Sequence, residues 1–208
     1  MKEAILVAKQ ITDAILNGLP GEVAHRMMLP EGRNLFSTSE FKESAILILL
    51  YPKSGRWNTV FMKRNQYDGP HSGQISFPGG KKDIQDRTLL QTALRETYEE
   101  TGFDASYAVI AGELSPLQIP ISGFMVHPFI AVIDHEPSFN PDKNEVDYLI
   151  EVSLSELVTA SAVKKQNMLI RNTELQVPYF DVRHEIIWGA TAMILSEFLQ
   201  LNLDFTSD

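Results

Sequence analysis

Cysteine is absent from the 208-residue sequence. That single absence excludes disulfide scaffolds, thiolate zinc sites, iron–sulfur clusters and cysteine nucleophiles. Basic residues are in deficit: 18 Lys and Arg against 27 Asp and Glu leave a formal charge of −9. Such a balance argues against a duplex nucleic-acid binder, which neutralises phosphates with a basic face. An anionic substrate stays open, because a bound divalent cation inverts the local field. Long apolar runs are missing too. The longest, Ala45 to Tyr51, falls far short of the ~20 residues that span a bilayer. Lys9, Gln10 and Asp13 break up the apolar N-terminus, so no secretory leader is indicated. The expectation is a soluble cytoplasmic protein with neither membrane nor nucleic acid as partner.

What is present is a mixture of strand and helix signals, without internal repeats, low-complexity tracts or linkers. Ala4, Val7, Ala8, Ile11 and Ile15 recur at helical spacing and predict an amphipathic N-terminal helix. After Leu19, Pro20-Gly21 and Pro30-Glu31-Gly32 read as loop. Ala45–Tyr51 and Thr59–Lys63 predict a hairpin around Ser54-Gly55, and Ile75–Phe77 a short strand ending in Pro78-Gly79-Gly80. A helix is expected from Thr88 to Thr101, stopped by Gly102. Strands follow at Tyr107–Leu114, Val126–Asp134 and Val146–Val152, then a short helix at Ser153–Val158. A hairpin through Val177–Phe180 and His184–Ile187 leads to a closing helix over Gly189–Leu201. Strands interleaved with helices predict one mixed α/β domain.

The chemistry is concentrated in Arg95-Glu96-Thr97-Tyr98-Glu99-Glu100-Thr101-Gly102. On a helix turning ~100° per residue, Glu96, Glu99 and Glu100 fall within one arc of roughly 100°. Three carboxylates on one face repel unless something positive sits among them. An oxygen-rich face without cysteine or histidine suits a hard cation such as Mg²⁺ or Mn²⁺. The plain alternative is a solvated acidic face, with Arg95 pairing to Glu99 one turn on. Context favours the cation. Pro78-Gly79-Gly80 lets backbone approach a ligand closely. The window 52–82 carries Lys53, Arg56, Lys63, Arg64, Lys81 and Lys82 against Asp68 alone, a balance of +5. The window 83–104 carries six acids against Arg87 and Arg95, a balance of −4. A cationic strand pair beside an anionic helix can hold a polyphosphate, which suggests metal-assisted phosphoryl chemistry.

Gly80, Asp86, Arg95-Glu96, Glu99-Glu100 and Gly102-Phe103 together resemble the Nudix hydrolase signature. Five residues separate Gly80 from Asp86, as in that signature, but eight separate Asp86 from Arg95, one more than usual. The first acid is also Asp rather than Glu, which leaves the role of Asp86 open. Upstream, Lys63-Arg64-Asn65 and His71-Ser72-Gly73-Gln74-Ile75-Ser76-Phe77-Pro78-Gly79-Gly80 are similar to the additional motif of the coenzyme A pyrophosphatase subfamily. Asn144-Glu145-Val146 and Ile187 to Ala192 look like it as well.

The resemblance runs from about Arg33 to the last helix. It implies a Nudix-type α/β/α sandwich with a mixed sheet and a catalytic strand–loop–helix. It also implies hydrolysis of the pyrophosphate of coenzyme A or its derivatives, giving 3′,5′-ADP and 4′-phosphopantetheine or its acyl form. On this reading residues 41–208 form the hydrolase domain, and 1–40 a helix and loop packed on it. Glu96, Glu99 and Glu100 would ligate Mg²⁺ or Mn²⁺ with Gly80 beside them, and Glu99 or Glu145 would activate water. Glu145 reads equally as a solvated loop charge. Arg64 and Lys63 are candidates for the diphosphate or the 3′-phosphate. Strand alternation lets one of them reach the site, and the planar guanidinium favours Arg64. His71 and Gln74 are further substrate candidates, while Arg95, Gly79 and Gly102 support the architecture. Trp188, Phe77 and Met62 read as core. The alternatives are another nucleoside diphosphate substrate, such as ADP-ribose or NADH, and a non-catalytic ligand-sensing domain. The chain is expected to be a monomer or a homodimer.

Overall fold

The computed structural model describes residues 2–33, 40–66, 72–170 and 173–203. Its organising element is β1 (Lys42–Lys53), whose apolar run is buried on both faces. Alternation sends Ala45, Leu47, Leu49 and Tyr51 to one side of the sheet and Ile46, Ile48 and Leu50 to the other. A strand buried on both faces reads as a continuous hydrophobic run rather than an alternating one. The end of β1 turns back into β2 (Arg56–Arg64), with Tyr51 opposite Asn58, which is the expected hairpin. Its first nine residues instead run parallel to β7 (Phe124–Val132).

The remaining strands extend this pair into a mixed sheet. β3 (Ile75–Ser76) and β8 (Val146–Ser153) pair with β2, β4 (Gly79–Lys81) with β1, and β5 (Val109–Glu113) and β6 (Leu117–Ile119) with β7, all antiparallel. A second sheet of β9 (Lys164–Ile170), β10 (Thr173–Val182) and β11 (Glu185–Trp188) stands apart in strand pairing.

Helices cover both faces. α1 (Lys2–Asn17) buries Ala4, Val7, Ala8 and Ile11, its expected stripe, in a core shared with α5 (Gly189–Leu199). α3 (Leu89–Thr101) packs on the opposite face through Ala93, in a cluster with Phe103 and the odd-numbered residues of β1. The result is the α/β/α arrangement expected. α4 (Leu154–Thr159) is capped by the Ser153 hydroxyl. Among the described residues no helix is long and apolar enough to cross a membrane.

Four elements depart from the sequence reading. The stretch read as loop after Leu19 contains α2 (Gly21–Met27), and β4, β6 and β9 appear where no strand was expected. α2 is seven residues long and relies on tertiary partners. Buried Glu197 of α5 accepts the Gly21 and Ser115 backbone N–H groups and pairs with buried His25 at 2.9 Å. Burial opposes the ionised form of this carboxylate, but its hydrogen bonds to His25 and Ser115 outweigh burial and lower the Glu197 pKa. β4 is built on two glycines, and β9 alternates half-buried with exposed residues.

Candidate active site

The Thr88 hydroxyl accepts the Gln91 N–H at the start of α3, and Gly102, at φ +71°, closes its end by donating to the Tyr98 carbonyl. This fixes the register of Glu96, Glu99 and Glu100 against β4. The three carboxylates do not form one exposed face. Glu99 is exposed, Glu96 is half-buried, and Glu100 is 2% exposed.

Glu100 receives the Gly79 N–H at 2.7 Å and lies 3.4 Å from an Arg64 Nη2 that also donates to the Gly79 carbonyl. Desolvation nevertheless pushes its pKa from 4.5 to about 8, against the pull of Arg64 and Gly79. Glu96 is raised by the same cause, opposed by Arg95. Glu145, exposed just ahead of β8, raises both through its charge. The loop carboxylate therefore faces the helix carboxylates electrostatically.

Arg95 occupies the centre of this charge. Its Nη1 lies 2.9 Å from both Glu96 and Glu99, and its Nη2 donates to the Lys81 carbonyl. Nε and Nη2 grip Asp86 at 3.1 and 2.9 Å. Asp86 is buried, accepts from the Thr92 hydroxyl and the Asp83 N–H, and is held near pKa 2, mainly by Arg95. The structure thus gives the open residue a place: Asp86 anchors Arg95 and lies behind the glutamates. The helical Arg95–Glu99 pair of the plain alternative is present too, as one arm of this network.

Gly80 completes the geometry. A Cβ there would fall 2.3 Å from Glu96 Oε2, so only glycine lets that carboxylate lie against β4. A buried carboxylate with raised pKa and a second pressed on bare backbone are oxygen donors suited to a hard cation. Among the described residues no three carboxylate or imidazole groups converge at coordination distance. In this structure Arg95 holds Glu96 and Glu99, and Gly79 holds Glu100. The donor chemistry of these carboxylates fits a divalent ion.

The glycines of β4 and Arg64 also line a cavity of about 1270 Å³. Its surface includes Ser72, Gln74 and Lys81, and an apolar part with Ile119, Phe124, Met168, Met193 and Ile194. Arg64 reaches Glu100, whereas Lys63 turns to Glu185 at 3.0 Å and does not line the cavity. The charged windows are less concerted than their sums imply, since Lys53 is taken by Glu136 and Glu151. His71 lies outside the described residues. Met62 and Phe77 are buried as expected, with Phe77 also touching the cavity. Trp188 corrects the core expectation: it is half-buried and lines the cavity where β11 meets α5. Sequence reasoning also missed Arg33 and Lys81 on this wall. Lys81 had a signal in its position directly after Gly80, but Arg33 had none.

The NUDIX domain profile matches residues 41–172. An uncharacterized Nudix hydrolase NudL of Yersinia enterocolitica is 34% identical over 141 residues, covering 68% of this chain and 72% of that protein. NudL of Yersinia pestis is 29% identical over 180 residues, covering 84% and 89%. Among solved structures, the Nudix hydrolase RenU of M. smegmatis superposes with TM-score 0.54 at 15% identity, over 84% of this chain and 92% of that one. A MutT/nudix family protein from Enterococcus faecalis gives 0.52 at 14%, over 82% and 65%. At such identities these structural likenesses concern the fold.

Proposed function

The chain belongs to the NUDIX domain family and is a Nudix pyrophosphohydrolase acting on a nucleoside diphosphate-X, and we propose that its substrate is coenzyme A or an acyl derivative. One observation carries this reading. The cavity that meets the glutamates through Arg64 and the β4 glycines is cationic near them and apolar along Ile119, Phe124, Met168 and Met193. A diphosphate bearing a long, weakly polar pantetheine arm matches both parts, and the motif around Ser72 and Gln74 lines the same space.

Glu96, Glu99 and Glu100 would hold the divalent ion, with Gly80 giving room for Glu96. Bound Mg²⁺ or Mn²⁺ would neutralise charge on the diphosphate and acidify water. Arg64 binds phosphate oxygens with its fork. Water attacks one phosphorus, the bridging P–O bond breaks, and the water proton passes to a carboxylate. Glu99 and Glu145 are the two candidates for that base, both exposed. Arg95, anchored by Asp86, positions Glu96 and Glu99. Gln74 contributes to substrate binding, and Gly79 and Gly102 hold the frame. Lys63 supports the β11 side through Glu185.

Mass spectrometry of products from coenzyme A, with and without Mg²⁺ or Mn²⁺, tests the reading. Metal-dependent 3′,5′-ADP and 4′-phosphopantetheine are expected. Faster hydrolysis of ADP-ribose or NADH than of coenzyme A would replace it with the wider nucleotide reading.

A further inference from the structure

The cavity carries an imbalance that hydrolysis of a diphosphate leaves unused. In a chain of net charge −9, its described lining includes Arg33, Arg64 and Lys81 but no aspartate or glutamate. Arg64 is committed to Glu100 and the Gly79 carbonyl, and Lys81 follows Gly80 on β4. Both stand where the diphosphate would meet the glutamates. Arg33 comes from elsewhere, the segment between α2 and β1, where Leu29, Pro30 and Gly32 line the cavity beside it. It forms no ion pair among the described residues and is half-buried.

That wall is built into the fold. Glu31 donates its N–H to the Gln176 carbonyl and lies 3.6 Å from Lys165, tying the segment to the β9–β10 hairpin. Upstream, the buried His25–Glu197 pair fastens α2 to α5. A half-buried cation on the cavity wall that makes no ion pair among the described residues can take its counter-charge from a bound ligand. Its guanidinium matches the oxygens of a phosphate better than an isolated carboxyl or hydroxyl group would.

We propose that Arg33 is a specificity-determining residue, receiving a phosphate monoester that the substrate carries apart from the diphosphate being cleaved. The proposal rests on the coenzyme A reading, in which that group is the 3′-phosphate of the nucleotide. Arg33 precedes the profile match at residues 41–172, so the determinant lies outside the segment common to the family.

Hydrolysis of coenzyme A and of 3′-dephospho-coenzyme A by wild type, Arg33→Gln and Arg33→Lys decides it. Wild type is expected to favour coenzyme A, and Arg33→Gln to lose roughly ten- to a hundred-fold in kcat/KM for it, mainly through KM, as for a lost charge-assisted hydrogen bond. Turnover of the dephospho compound should change less than about two-fold, with Arg33→Lys recovering part of the preference. An equal loss on both substrates, or none on either, overturns the assignment while leaving the coenzyme A reading intact. Absence of coenzyme A turnover by the wild type overturns that reading and the assignment with it.

Discussion

Replacing Glu100 by glutamine should make the metal-free protein more stable, by an amount that grows with pH. In the fold the Glu100 carboxyl has pKa about 8, against 4.5 ordinarily. Below the ordinary value both folded and unfolded chains keep the proton, and the residue contributes no difference. Above it the unfolded chain releases its proton while the folded chain retains one, so stability falls as pH rises. Each pH unit in that window costs about 1.4 kcal/mol. The loss approaches roughly 4 kcal/mol near pH 7.5 and levels off above 8, an upper bound that side-chain relaxation reduces. Glutamine cannot ionise and keeps an acceptor for the Gly79 N–H. With about 3 kcal/mol recovered, the melting midpoint of a chain this size rises by roughly 6–12 °C. Melting both proteins by circular dichroism in chelator from pH 4.5 to 8.5 provides the test, because other titrations cancel in the difference. Curves that stay parallel, or a variant less stable throughout, would refute desolvation as the dominant influence on Glu100. Added Mg²⁺ or Mn²⁺ should then stabilise wild type more than the variant, since a ligand favours the state that binds it.

Adjacent glycines should respond oppositely. Gly79→Ala places a Cβ 2.3 Å from the Ala45 carbonyl oxygen at φ +147°, against backbone that cannot yield, and should cost roughly 3 kcal/mol or more in chemical denaturation. Gly80→Ala meets only the movable end of Glu96, so it should keep most stability while losing at least about ten-fold in kcat. Asp86→Asn should release Arg95 and destabilise by about 1–2 kcal/mol in urea melts at neutral pH. Because the folded pKa of Asp86 is lowered to about 2, that difference should vanish as pH falls from 4 through 2. Glu99→Gln, at an exposed position, should leave the melting midpoint nearly unchanged and lower kcat by roughly a hundred-fold or more; equal turnover would remove Glu99 from the site.

The elements legible in the sequence are those whose own residues specify them. β1 announces itself because both faces are buried, and α3 because Thr88 caps it and Gly102 ends it. α2, β4 and β9 have little local signal: a proline–glycine start, a glycine pair and a run beginning Lys-Lys take their shape from partners distant in sequence. The same division holds within the site. Helical spacing brings Glu96, Glu99 and Glu100 to one side, but not the gradient from exposed Glu99 to buried Glu100, which depends on β4 lying over the last of them. The extra residue between Asp86 and Arg95 made Asp86 ambiguous in one dimension, and only its grip on Arg95 assigns it. Trp188 and Arg33 reach the cavity through long-range packing, about which a linear motif is silent.

The double role of β1 has a consequence for how the chain is made. Residues 42–50 pair in parallel with 124–132, so their main partner emerges from the ribosome about eighty residues later. During that interval its strand partners are limited to the short register with β2, at 51–53, and the β4 contact at 44–46, with α3 able to cover one face. The run Ala45–Tyr51 therefore spends much of synthesis as a β-prone segment without charge and without its main strand partner, the sort of stretch that nascent-chain chaperones shield and that self-associates when they are scarce. Refolding from denaturant should accordingly be concentration-limited, with aggregation rather than slow ordering of the glutamate helix setting the yield.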